Sequence, residues 1–151
     1  MTIPGLDNLY RQVIMDYGRH PHHFHLLDET WSDQAKKYNP SCGDIIQLGV
    51  KFDGDKLAEL AFDGDGCAIC KASASMMTDI LAGQSLAQAK KISHEFSEML
   101  TTENAASDDL GDAQLLAGVK QFPTRIKCAT LPWHALDEIL SKQDQGGQHG
   151  N

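Results

Sequence analysis

The sequence predicts an α+β fold, a small antiparallel sheet of about three strands packed against several helices. Three observations carry that expectation. A period-two apolar pattern runs through "DIIQLGVKF" and returns in "KLAELAFDG". A tight-turn signal, Asp53-Gly54, separates the two runs. From Cys67 onward, every apolar pattern has helical spacing. Strands early and helices late argue for a segregated arrangement rather than alternating β-α units.

Taken in order, Leu6, Leu9, Val13 and Tyr17, with Ile14 beside them, recur at helical spacing. Residues 6–18 therefore read as an amphipathic helix closed by Gly18. "RHPHHFH" follows as a polar turn, and the four histidines in segment 20–25 read as a solvated stretch rather than a metal site. "QAKKYNP", residues 34–40, is expected to add a short edge strand. In the hairpin, Ile46, Leu48, Val50 and Phe52 share one face, and Leu60 and Phe62 continue it on the return. From Cys67 a helix carries Ile69, Met76, Met77 and Ile80 as far as Gly83. Its Ala and Ser residues predict close approach to the sheet, and its Met pair reads as core filling. Ser85 and Gln88 form a capping box for a helix with Ala89, Ile92, Phe96 and Leu100 inward. "TTENAASDDLGD" reads as a linker and "AQLLAGVKQF" as a short helix. Cys128 is expected on a loop after Pro123, before a last helix defined by Trp133, Leu136, Ile139 and Leu140. Residues 1–140 thus read as a single domain, and 141–151, "SKQDQGGQHGN", as a flexible C-terminal tail.

Composition narrows the function classes. A chain of 151 residues with 41% hydrophobic and 23% charged residues has enough apolar material for a core without staples. A formal net charge of -8 argues against nucleic acid as a partner, because phosphate binding needs clustered Lys and Arg. No apolar run approaches the ~20 residues that cross a bilayer, so no membrane partner is expected. The first residues lack the basic start and apolar stretch of a signal peptide, and a cytoplasmic location follows as the default. In that reducing compartment, four cysteines read as ligands or reactive thiols rather than as two disulfides.

Those cysteines are Cys42 in "NPSCGD", Cys67 and Cys70 in "GDGCAICKASASMM", and Cys128 in "RIKCATLPW". A hairpin turning at 53–55 pairs residue 44 with a position near 64, so the start of one strand and the end of the other meet at one end of the sheet. Topology therefore brings Cys42, Asp44 and Cys67 together, with Cys128 free to close over them. Such convergence suits a tetrahedral zinc site. Two ligand sets compete: Cys42, Cys67, Cys70 and Cys128, or three cysteines with Asp44 and Cys70 spare. Backbone N–H groups at a helix start beneath Cys67 favour its thiolate for metal binding or nucleophilic sulfur chemistry. Alternatively, Cys70 is simply a buried small hydrophobe. A thioredoxin-type dithiol leaves the two distant cysteines unexplained.

Together, "LDNLYRQVIMDY", "NPSCGD", "GDGCAICKASASMM" and "FPTRIKCATLPWHAL" resemble the SufU/IscU/NifU-N family of iron–sulfur cluster assembly proteins, from about Leu6 to Leu140. The resemblance implies a SufE/NifU-like fold. It also implies that Cys42, Asp44, Cys67 and Cys128 hold the zinc ion or, alternatively, an Fe-S cluster. Cys70 stands where SufU-type sequences usually carry Ser. IscU scaffolds carry His directly before the late cysteine, and this chain has Lys127 there. The segment "SDDLGDAQLLAGVKQFPTR" resembles the insertion that marks SufU. On this basis the expected function is a zinc-dependent sulfurtransferase, with an IscU-like scaffold as the alternative. The resemblance further implies a cysteine desulfurase partner of the SufS type, which supplies a histidine to the zinc and frees a cysteine. The matching sulfur acceptor is Cys42, with Gly43 permitting movement of its turn, and a SUF scaffold complex receives the sulfur. Arg125 is expected to support thiolate charge or Asp44 from beside Cys128, whereas Lys127 reads as a solvated surface residue.

Overall fold

Three strands and their covering helices build the molecule in the expected order. The computed structural model describes residues 4–31, 33–102 and 107–149. Its elements are α1 (Pro4–Arg19), β1 (Asp33–Asn39), β2 (Asp44–Asp53), β3 (Lys56–Asp65), α2 (Ala68–Leu81), α3 (Leu86–Thr101), a 3-10 segment (Asp108–Gln121) and α4 (Pro123–His149). The strands form one antiparallel sheet in the order β1-β2-β3. The predicted edge strand is present as β1. The side chains of Leu6 and Leu9 lie outside the described residues, as does the 103–106 portion of the expected linker.

The hairpin register carries one irregularity. Lys51 pairs with Glu59 and Phe52 with Leu57, so Ala58 is an extra residue on β3. A regular strand would send Leu57 and Leu60 to opposite faces. The bulge lets both face the core, where they are 0% and 3% exposed. It also shifts the far end of the pairing by one residue from an unbulged ladder, to Ile45 opposite Asp65. Ile46, Leu48, Val50 and Phe62 are fully buried as the alternation predicts, and Phe52 is half-buried.

Helix α2 is the central element. Nine of its residues are buried, including Met76 and Met77, and a helix apolar on most sides must be enclosed on most sides. Each fully buried Leu, Ile, Phe or Met side chain contributes about 1.5–3 kcal/mol relative to exposure. The small residues on α2 also carry polar ties to its neighbours. The Ser73 hydroxyl donates to the Ala129 carbonyl of α4 at 2.5 Å and accepts from Trp133 Nε1 at 3.0 Å. Trp133 in turn stacks on Phe96 of α3, with centroids 4.3 Å apart. Helix α3 starts on the predicted Ser85 cap, whose hydroxyl accepts from the Gln88 N–H at 3.1 Å.

The structure corrects one local expectation and adds detail to two others. Cys128 lies within α4 rather than on a loop, because Pro123 opens the helix at a position where its missing N–H costs nothing. The helical backbone of α4 continues to His149, beyond the last apolar position. The histidine segment is exposed, yet it is anchored to α2 and β3. The His22 N–H donates to Ser75 Oγ at 2.8 Å, and His22 Nδ1 meets Asp79 Oδ2 at 2.6 Å. His23 Nδ1 meets Thr78 Oγ1 at 2.9 Å, and the Phe62 and His25 amides complete a short bridge to β3.

The Ser73 network joins the helix that starts at Cys67 to the helix that carries Cys128. Ser73→Ala leaves the buried Trp133 N–H without its partner, and it should lower unfolding stability by about 1–3 kcal/mol. Urea denaturation checks this. An unchanged midpoint would show that the network adds nothing beyond packing.

Candidate metal centre

The centre forms where three chain segments meet at one end of the sheet. Asn39 and Asp44 are the last pair of the β1–β2 ladder, and the loop between them holds Cys42 and Gly43. The Gly43 N–H donates to the Asn39 carbonyl at 2.8 Å, and Gly43 has φ +75°, a conformation that strains any residue with a Cβ. Cys42 is exposed on this turn, whereas Asp44, the first residue of β2, is 0% exposed.

Cys67 arrives from the other side of the sheet end. Its backbone N–H donates to Asp44 Oδ1 at 2.9 Å, and its side chain caps α2, with Sγ 3.5 Å from the Cys70 N–H. A thiol is a weak cap beside the Ser, Thr, Asp or Asn that helices prefer there. The residue at this cap is therefore suited to something other than helix stability. A Cβ on Gly66 would lie 2.8 Å from Asp44 Oδ1, so the glycine gives the carboxylate its room.

Cys128 is buried one to two turns into α4. Its sulfur lies 3.3 Å from Cys42 Sγ. Pro132 cannot donate an N–H to the Cys128 carbonyl, so the helical bond that would close over this residue is missing. Cys42 Sγ, a carboxylate oxygen of Asp44 and Cys128 Sγ lie within 4.8 Å of one another. Among the described residues this is the group gathered closely enough to hold an ion, and it contains no histidine. Cys67 Sγ falls outside that mutual distance but remains close enough to Cys128 to influence its ionisation.

The electrostatics fit a cation. Burial pushes the Cys128 thiol well above the usual range, and the closeness of Asp44, Cys42 and Cys67 pushes the same way. Cys70, fully buried, is raised chiefly by burial, with the charges of Asp44, Cys67 and Cys42 adding to it. Asp44 Oδ2 is buried with no hydrogen-bond partner. An orphaned carboxylate oxygen beside two sulfurs is a costly arrangement unless a metal ion accounts for it. Thiolates plus one harder oxygen make a donor set suited to zinc, and also one that iron accepts.

Arg125 and Lys127 are both exposed on the first turns of α4. Arg125 lines a groove of about 1050 Å³ with Tyr10, Ile14, Ile69 and Phe122. The sequence reading did not anticipate this groove, whose walls come from α1, the 3-10 segment and the start of α4.

Comparison with known proteins places these features in context. The NifU-like N terminal domain model matches residues 9–129. The iron–sulfur cluster assembly scaffold protein IscU of Streptococcus pyogenes serotype M1 is 47% identical over 150 residues, covering 99% of this chain and 92% of its own. The zinc-dependent sulfurtransferase SufU of Bacillus subtilis strain 168 is 46% identical over 143 residues, covering 94% and 96%. A crystal structure from Fervidobacterium islandicum AW-1, assigned as an iron–sulfur cluster assembly scaffold for the SUF system, has a TM-score of 0.80 at 33% identity, covering 85% and 94%. The N-terminal NifU-like protein of Brucella abortus shares the fold, with a TM-score of 0.83 at 18% identity over 93% and 97% of the two chains.

Burial and raised pKa values order the thiols by reactivity in metal-free protein. At pH 8 Cys42 should react with iodoacetamide at least ~10-fold faster than Cys70 or Cys128, which stay protonated and covered. Peptide mapping after timed quenching reads the order. Equal rates at Cys42 and Cys128 would contradict the geometry.

Proposed function

Because this chain belongs to the NifU-like N-terminal domain family of iron–sulfur cluster assembly proteins, we propose that it is a zinc-dependent sulfurtransferase. In this reading it accepts persulfide sulfur from a cysteine desulfurase of the SufS type and passes it to a SUF scaffold. Cys42, Asp44, Cys67 and Cys128 are the proposed ligands. The observation that carries the reading is the unequal mounting of these residues. Asp44 is buried in a strand, Cys67 caps a helix and Cys128 lies inside one, whereas Cys42 sits exposed beside a positive-φ glycine.

Bound there, zinc would keep the thiolates deprotonated and protected from oxidation. The chain's own residues supply the transfer. Cys42 swings out on the Gly43 turn, and its thiolate attacks the outer sulfur of a donor persulfide. A new S–S bond forms at Cys42 as the donor's S–S bond breaks, and the electron pair leaves on the donor thiolate. The sulfane proton stays on the transferred sulfur, so a Cys42 persulfide results and no external oxidant is consumed. Cys67 and Cys128 are poor candidates for this role, because moving either disturbs a helix start or a packed helix. Lys127 also supports the reading, since the resemblance associates a scaffold with His at that position.

The alternative reading, an IscU-like scaffold for an Fe-S cluster, has the broader support from the comparisons, in the names of the Streptococcus and Fervidobacterium relatives, and from a donor set that iron accepts. Metal analysis and visible absorbance of anaerobically purified protein separate the two. About one zinc per chain and a colourless solution is the expected result, and a brown cluster-bearing protein would favour the scaffold. Cys67→Ser and Cys128→Ser should each lose metal and stability together. Cys42→Ala should fold yet leave desulfurase turnover at its unstimulated rate, with persulfide absent from the chain by mass spectrometry. Full stimulation by Cys42→Ala, with persulfide mapped to Cys70, would overturn the acceptor assignment.

A further inference from the structure

Cys42 lies on a short exposed stretch, residues 40–43, strung between two buried residues, Asn39 at 6% exposure and Asp44 at 0%. Those two are direct cross-strand partners at the end of the β1–β2 ladder, so their side chains rise from the same face of the sheet. Asn39 holds the stretch on both sides of Cys42. Its Oδ1 accepts the Ser41 N–H at 3.2 Å, an Asx turn, and its backbone carbonyl accepts the Gly43 N–H at 2.8 Å. Its other side-chain atom, Nδ2, is buried with no hydrogen-bond partner. The closed turn therefore satisfies two backbone donors and strands one side-chain donor. Opening the turn reverses both effects, because the two backbone N–H groups and the amide then reach water. These opposing contributions offset one another, which leaves the turn able to switch. The space for movement is there, since a Cβ on Gly43 would meet no atom within 4 Å.

We infer that Asn39 is a positioning residue, the clasp that holds the Cys42 turn closed while Cys42 is a metal ligand and lets it open for sulfur transfer. The inference rests on the metal-thiolate reading above and deepens it. The clasp acts on one ligand alone. Asp44 is tied to the Cys67 N–H, and Cys67 and Cys128 belong to the start and the body of packed helices. The amide also suits the position better than a carboxylate. An Asp would make the same turn, but it would set a second buried negative charge directly across from Asp44. Asn keeps the acceptor without the charge.

Two measurements on the full-length protein test the clasp. In zinc-loaded protein, iodoacetamide reaches a ligand thiolate only when it leaves the metal. Asn39→Ala should raise the alkylation rate of Cys42 at least ~10-fold, with the rates of Cys67 and Cys128 unchanged. Asn39→Ser, whose hydroxyl makes the same turn more weakly, should fall between the two. It carries both measurements should Asn39→Ala fold poorly. A general loosening would speed all three cysteines together and would overturn the inference, as would a Cys42 rate equal to that of wild type. The second measurement needs no metal. Amide hydrogen exchange should be at least ~5-fold faster at Ser41 in Asn39→Ala than in wild type, and unchanged at Cys67, whose N–H is held by Asp44. Equal Ser41 exchange in the two proteins would also overturn the clasp. A wild-type protein that purifies with a cluster instead of zinc would overturn the sulfurtransferase reading only, and Ser41 exchange in the metal-free protein would still decide the role of Asn39.

Discussion

The hydrogen bond from the Cys67 N–H to Asp44 Oδ1 ties the start of β2 to the first turn of α2, and the rest of the centre is arranged around it. It spends one carboxylate oxygen on the backbone and leaves the other buried and bare. Burying a carboxylate in that state is expensive, so the fold holds a strong unsatisfied demand for a positive partner at one defined point. Gly66 has no side chain because the carboxylate needs the space. The antiparallel register brings the two segments to the same end of the sheet, and the bulge at Ala58 sets their final alignment. Local chain chemistry and sheet topology thus converge on one oxygen atom.

Stability and chemistry compete at the same helix terminus. Ser85 caps α3 with a hydroxyl at 3.1 Å, whereas Cys67 caps α2 with a sulfur at 3.5 Å. A poor cap on the most buried helix is tolerated because α2 draws its stability from enclosure, through Met76, Met77 and Leu81 and the Ser73 ties to α4. A helix held by enclosure in this way can carry a weak cap. Cys128 follows the same logic. It sits in a helix that lacks one ladder bond at Pro132, yet that helix is held by the stacked Trp133.

Much of this was legible in the sequence, for identifiable reasons. Alternation over residues 44–52 and the Asp53-Gly54 turn specify the hairpin locally, and an antiparallel hairpin leaves little freedom over which ends meet. That is why the sequence alone brings Asp44 and Cys67 together. The bulge was harder to read, because its only trace is the spacing of Leu57 and Leu60. The apolar pattern of α4 starts late and so suggests a loop at Cys128, although Pro123 is a start signal. The histidine anchors were not legible, since Ser75, Thr78 and Asp79 lie more than fifty residues away along the chain. Nor was the groove between α1 and the 3-10 segment, which depends on how separate elements pack.

Under the proposed ligand set, three firmly mounted donors and one on an exposed turn serve any task that needs a ligand position to open without loss of the whole site. That generality explains how one fold accommodates relatives named for scaffolding and for sulfur transfer at nearly equal identity. Successive side chains on a helix diverge by about 100°, so position 127 looks away from the buried side of Cys128 and toward solvent. Lys127 is exposed there. An imidazole at that place would offer a further neutral donor to an incoming metal, whereas a lysine offers a positive charge to an incoming anion.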